Sequence, residues 1–285
     1  MGRRSTKLEN LLGYAGLVLI IILILIGFSK SLLISFGLFK EVGLDSFTFD
    51  FYKEVLADKT FTSSLIFSLK ISIVSSFLAI ILGIFLSYGI FNSKIYDLYL
   101  KIPVILPHII IAILLLNLFS QTGFIARIFY KLNFIEESND FIQIFYNKNA
   151  LGIILTYAVK GGAYAGMVFL EIYRRISPNQ LATAKNLGAS DLQEYFYIIF
   201  PFIKKESLEI FLILFNFAIS SYEVPALIGP TSPRTLALKS YIEFTKNNFS
   251  YKPKALVINV FLSLIGLVSL IILLISEVGK NEKNF

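Results

Sequence analysis

An ionised group placed among apolar residues is costly and is usually there for a reason, so the chemistry of this chain is sought first where polar side chains interrupt long apolar runs. Lys160 stands near the middle of the run 150–173, and Ser221, Tyr222, Glu223 and Pro225 lie toward the end of the run 207–229. Two readings of Lys160 stand side by side. It either snorkels or is satisfied structurally, or it faces a bundle interior and meets an anionic ligand or an acidic residue, with Glu223 the candidate partner. Pro225 loosens the backbone near a helix end, which is tolerated where that backbone lines a cavity. Tyr222 and Glu223 then suit a cationic ligand by charge and cation–π attraction, against the alternative of a carboxylate sitting in interfacial water. His108, the single histidine, follows Pro107. A pH switch is conceivable there, but an interfacial histidine is the plainer reading, with Pro103 and Pro107 shaping a kinked helix entry. Catalysis finds no footing. The chain has no cysteine, which excludes a disulfide framework, a Cys-based zinc site and a thiol nucleophile. One histidine cannot form a cluster, and no paired carboxylates lie within the apolar runs.

The elements that must position these residues are long apolar helices. Of 285 residues 56% are hydrophobic, the mean hydropathy is +0.74, and 16% are charged, below the roughly 25% of a soluble domain. The apolar residues predict an all-α membrane protein of about six spans, at 11–28, 62–91, 102–119, 150–173, 207–229 and 255–276, each near the length needed to cross a bilayer. No linker divides them, and residues 1–285 read as a single transmembrane domain. The net charge of +7 does not point to nucleic acid, because the basic residues are scattered among loops and the Phe and Tyr residues sit in the spans rather than on a basic groove. The first run follows Arg3, Arg4 and Lys7 and ends at Ser29-Lys30-Ser31. That is a poor cleavage site, so the run reads as an uncleaved helix rather than a signal peptide. The positive-inside rule places the N-terminal cluster in the cytoplasm, together with Lys280 and Lys283 and the segment holding Arg174, Arg175, Lys185, Lys204 and Lys205. The outer loops carry about as many basic residues, among them Lys246, Lys252 and Lys254, but they are longer.

Small residues mark one face of the second run: Ser68, Ser72, Ser76, Ala79, Gly83 and Ser87 recur every three or four positions. A shorter patch, Ala158, Gly161, Gly162, Ala165 and Gly166, marks the fourth. Small faces let helices approach closely in lipid, where packing rather than hydrophobicity drives association. Both runs therefore belong inside a bundle.

Residues 177–201, SPNQLATAKNLGASDLQEYFYIIFP, are the most organised stretch between spans. Ser177 with Pro178 and Gln180 predicts a capped helix start, with Leu181, Ala184 and Leu187 on one face. Gly188 predicts a left-handed stop. Ser190 and Gln193 predict a second capping box, and Leu192, Tyr195, Phe196 and Ile199 a second apolar face, ended by Pro201. Two short amphipathic helices of this kind either dock into a groove on a soluble partner or lie on lipid.

This stretch resembles the cytoplasmic signature of the permeases of binding-protein-dependent ABC importers: Glu-Ala-Ala, three residues, Gly, nine residues, Ile, one residue, Leu-Pro. Here Ala182-Thr183-Ala184, Gly188, Ile198 and Phe200-Pro201 stand at those spacings, with Ala182 where the family has glutamate, Thr183 for the first alanine and Phe200 for the leucine, and the run Leu187-Gly188-Ala189-Ser190 is also similar to the family's. The likeness covers about residues 60–276 in span layout. It implies a loop seated in a cleft of a cytoplasmic ATPase dimer, a second permease subunit, identical or homologous, and a substrate-binding protein received by the outer loops 29–61 and 120–149, where Asp45, Asp50, Glu136 and Glu137 lie. The chain lacks a GxxxxGK[ST] phosphate loop of its own. The family therefore implies a non-catalytic subunit binding no cofactor, with ATP and magnesium used by a separate ATPase. Residues 216–230, with Pro233-Arg234-Thr235-Leu236 and Tyr241 downstream, are similar to spermidine/putrescine-type permeases, which implies a polyamine-like solute. A secondary transporter is the rival class, but no inverted halves or paired broken segments are evident.

Overall fold

The computed structural model describes residues 2–90 and 97–282, with side chains described over 14–89 and 98–276. Phe91, the expected end of the second run, lies outside these residues, as do the side chains of Arg3, Arg4, Lys7, Lys280 and Lys283. In chain order the elements are α1 (Gly2–Ser35), β1 (Leu38–Phe39), β2 (Leu44–Asp45), α2 (Asp50–Ala57), α3 (Lys59–Ile90), α4 (Asp97–Ile105), α5 (His108–Phe119), α6 (Phe124–Lys131), α7 (Leu151–Arg175), α8 (Pro178–Asn186), α9 (Asp191–Glu194), a π turn (Tyr195–Ile199), α10 (Phe200–Ser220), α11 (Glu223–Ile228), α12 (Leu236–Thr245) and α13 (Lys252–Glu282).

Among the described residues, five helices are long and apolar enough to cross a membrane: Tyr14–Ser35, Lys59–Gly89, His108–Lys131, Leu151–Arg175 and Phe249–Ser276. The expected run 207–229 is not among them. Its helix, α10, starts earlier, carries Lys204, Lys205, Glu206 and Glu209 near its start, and stops at Ser220. Ser221 takes an extended conformation before α11 begins. The expected run 102–119 is also divided. Pro107 disfavours helical backbone at the residue before it, so α4 ends at Ile105 and α5 restarts at His108.

The chain packs as two units. In the first, residues 1–59 with 240–261, β1 pairs with β2 in a small hairpin. Phe36 stacks on Phe47 and on Tyr52, with ring centroids 4.8 and 4.9 Å apart, and Lys254 forms an ion pair with Glu54 at 2.5 Å.

The second unit, residues 60–239 with 262–285, holds the expected bundle. Ser68, Ser72, Ser76, Ala79 and Ser87 of α3 are all at most 2% exposed. Ala79 and Gly83 meet the small patch of α7, Ser68 accepts from the Leu236 amide at 2.7 Å, and Ser87 bonds the Tyr195 hydroxyl. A Cβ on Gly83 would come within 2.6 Å of the Ala165 Cβ and 2.9 Å of the Gly166 amide nitrogen, so only glycine permits this backbone approach. Two apolar clusters lie along the α3–α7 seam. One contains Phe67, Ile71, Ile111, Ile153, Tyr157 and Ile228. The other contains Ile80, Ala165, Phe169, Tyr195, Ile199 and Ile203, and so includes residues of the 177–201 stretch.

Candidate functional site

Two places gather the residues singled out above. The first is the segment 177–201. Gly188 has φ +83°, and the Ala189 amide donates to the Ala184 carbonyl at 3.0 Å, the closure expected of a glycine-stopped helix. No side chain lies within 4 Å of a Cβ at Gly188, so its requirement is one of backbone conformation alone. The box at Ser190 forms: its hydroxyl accepts from the Gln193 amide at 3.3 Å, and the Gln193 side-chain oxygen accepts from the Ser190 amide at 2.9 Å. The expected box at Ser177 does not form. Pro178 removes one donor from the first turn, and the Gln180 amide bonds the Ser177 carbonyl instead.

The second apolar face is only half realised. Pro201 has no N–H to offer, and the chain absorbs it in the π turn at 195–199 rather than ending a helix there. One extra residue in that turn rephases the pattern. Tyr195 and Ile199 turn inward at 1% and 0% exposure, while Leu192, Phe196 and Tyr197 turn outward. On α8, Ala184 is buried, but the helix ends at Asn186 and leaves Leu187 83% exposed. Ala182, Thr183 and Pro201 are exposed, and Ala189 and Ile198 half-buried. The Thr183 hydroxyl donates to the Asn179 carbonyl at 2.7 Å.

Tyr195 was legible only as an apolar position, yet it is the bolt of this segment. Its hydroxyl donates to the Ile84 carbonyl at 3.0 Å and shares a 2.7 Å hydrogen bond with Ser87. Its ring meets Tyr88 edge-on at 5.0 Å. The segment is thereby fastened to one end of α3. Beside it, a cleft of about 630 Å³ opens between α7 and α10, lined by Glu171, Arg175, Gln180, Lys205, Glu206 and Glu209 among apolar residues. Sequence reasoning missed this cleft, because its charges come from two helices, α7 and α10, separated in the chain by the 177–199 stretch.

The second place lies midway along α7. The break at Pro107 leaves the Leu106 carbonyl without a helical donor, and Lys160 donates its ammonium hydrogen bond to that oxygen. Lys160 does not pair with Glu223. His108 stacks on Phe217 with centroids 4.0 Å apart, and Tyr157 meets both rings near 6 Å. A void of about 20 Å³, enough for one water, lies among Ser75, Ser76, His108, Tyr157 and Gly161. Ser221 and Glu223 approach the same Tyr157 side chain. Tyr222 and Glu223 are exposed, Ser221 half-buried and Pro225 buried within α11. Ser221 and Glu223 thus lie near Tyr157, one turn of α7 before Lys160, but the Tyr157 hydroxyl makes no hydrogen bond and no ion pair joins Lys160 to Glu223.

Residues 75–278 match the family of the binding-protein-dependent transport system inner membrane component. A sulfate transport system permease protein of Synechocystis sp. is 24% identical over 194 residues, which is 68% of this chain and 64% of that protein, so the chain spans just under two thirds of its length. A probable ABC transporter permease of Pyrococcus horikoshii is 28% identical over 215 residues, 70% and 72% of the two chains. An sn-glycerol-3-phosphate permease of Yersinia enterocolitica is 25% identical over 229 residues, 76% and 74%. Among solved structures, a chain of a bacterial alginate ABC transporter in complex with its alginate-bound periplasmic protein superposes with a TM-score of 0.73 at 18% identity, covering 97% of this chain and 96% of that one. A chain of a bacterial ABC transporter that imports the acidic polysaccharide alginate gives 0.74 at 19%, covering 98% of each. With a matched family model spanning most of its length, this chain belongs to the binding-protein-dependent transport system inner membrane components, a family of multi-pass permeases.

Proposed function

We propose that this chain is the transmembrane subunit of an ATP-driven importer, forming with a second permease subunit the path for a small solute delivered by an extracytoplasmic binding protein. ATP and magnesium are used by a separate ATPase dimer. The observation that carries this reading is the segment 177–201, which presents Leu187, Leu192 and Tyr197 outward at 83%, 52% and 78% exposure while Tyr195 bolts it to α3. Outward apolar anchors on short helices suit a groove on a soluble partner, and the inward bolt passes the partner's motion to the bundle. Both termini are cytoplasmic in this reading, on the same side as the segment.

For the solute, the reading favours an anion. The relatives are named for sulfate and sn-glycerol-3-phosphate, and a structural neighbour for an acidic polysaccharide. Lys160, half-buried midway along α7, offers a cation to such a group. The exposed Glu223 beside Tyr222 supports a second reading, a polyamine-like cation. The experiment is gentle extraction of a tagged chain from its native membrane beside a Gly188→Trp variant. An ATPase recovered with the wild type and lost with the variant supports the permease reading. A wild-type chain that comes out alone and still transports on an ion gradient contradicts it. Stimulation of the recovered complex by binding protein loaded with sulfate or a phosphate ester, as against spermidine, separates the two solute classes.

A further inference from the structure

Glu194 is the only Asp, Glu, Lys or Arg side chain among the described residues that is almost wholly buried, at 1% exposure. It ends α9, inside the segment 177–201. Its Oε2 accepts no hydrogen bond and lies 3.7 Å from the ammonium of Lys185, which is itself half exposed. The two charges stand on opposite sides of the Gly188 turn, Lys185 on α8 and Glu194 on α9. Helices of nine and four residues do not hold themselves in water. A buried carboxylate deprived of its cation is strongly destabilising, whereas replacing both charges by neutral groups is often harmless. The position of α8 over α9 is therefore tied to keeping Lys185 above Glu194. The next residue, Tyr195, is fastened to Ile84 and Ser87 of α3.

Resting on the coupling reading above, we infer that Lys185 and Glu194 form an ionic clamp across the Gly188 turn that positions the outward face at Leu187 and Tyr197 for the ATPase. Lys185 acts through Glu194 and not by touching the partner itself. The test counts ATPase molecules recovered per permease chain in the monodisperse fraction, a ratio that mere loss of folded protein does not move. Four variants are compared with wild type: Lys185→Met, Lys185→Arg, Glu194→Gln, and Lys185→Met with Glu194→Gln. Lys185→Met lowers the ratio by about tenfold, as expected of a stranded buried charge. Lys185→Arg keeps the ratio near wild type, and the double variant recovers most of what Lys185→Met lost. If Lys185→Met does not insert at all, recovery of inserted chain and ratio in the double variant carries the same meaning. A Lys185→Met ratio equal to wild type, or a double variant no better than Lys185→Met alone, overturns the clamp. Absence of ATPase from the wild-type preparation overturns the coupling reading, and the clamp with it.

Discussion

Helices α1 and α7 are both long and apolar, yet they are buried to opposite extents. None of the spanning window of α1 is buried, while 67% of the window in α7 is. Hydropathy runs the wrong way to explain this, at 2.8 for α1 and 1.5 for α7. What differs is side-chain size. The α1 segment is dominated by Leu and Ile, whereas α7 carries a patch of Gly and Ala at helical spacing. In lipid an apolar surface gains nothing by leaving its neighbours, so close backbone packing and a few polar contacts decide which helix goes inside. The comparison teaches that the least hydrophobic span carries the work.

Enlarging a glycine should break the comparison most forcefully. Gly83→Leu puts a side chain where Ala165 and the Gly166 amide already lie, and a backbone contact cannot yield as a flexible side chain can. A loss beyond the ~1–3 kcal/mol of ordinary overpacking is expected, read as failure to recover monodisperse protein. Gly27→Leu in α1, where nothing lies within 4 Å, should leave the yield unchanged.

A smaller effect is expected at Lys160. Lys160→Met strands the half-buried Leu106 carbonyl freed by Pro107, costing ~1 kcal/mol, the low end for an unpaired acceptor, and lowering the thermal midpoint in detergent. Pro107→Ala in that background should recover part of the loss by letting α4 and α5 join. Of similar size is Tyr195→Phe, which removes the bonds to Ile84 and Ser87 but keeps the ring; ~1 kcal/mol is expected, seen as faster hydrogen exchange at 195–199 with α1 unaffected.

The smallest effect is at the loop 136–140, where the amides of Glu137 and Glu136 donate to Asp140 and hold its carboxyl below the usual range. A lowered carboxyl stabilises the turn above its unfolded pKa and ceases to do so as pH falls through the folded value. Local exchange protection at Glu136 and Glu137 should therefore fade only in acid, and Asp140→Asn should remove that dependence.

Much of this was legible in the sequence because it rests on local rules. The small-residue stripe of α3, the left-handed Gly188 and the box at Ser190 each follow from residue type and spacing. The misses were long-range or depended on a single backbone hydrogen bond. Pro201 reads as a break, but neighbouring packing turns it into a π turn, which moves Leu192 and Phe196 to the outside. Lys160 reads either as structurally satisfied or as facing an acidic residue or anion, and the carbonyl it bonds at Leu106 is exposed by the Pro107 break rather than by any feature near Lys160 in sequence. The run 207–229 reads as one helix, but it divides at Ser221, because the positions flanking Pro225 carry no periodic signal of the break.

In the proposed assembly an ATPase covers the outward face of 177–201. The chain has no cysteine, so Leu187→Cys, at a position 83% exposed in the chain alone, supplies a unique thiol. Maleimide labelling of that thiol should be rapid in membranes lacking the ATPase and strongly slowed in membranes containing it, with a control thiol at Phe134, 71% exposed in the loop 120–149, unchanged between the two. Equal labelling of Leu187→Cys with and without the ATPase would contradict the account.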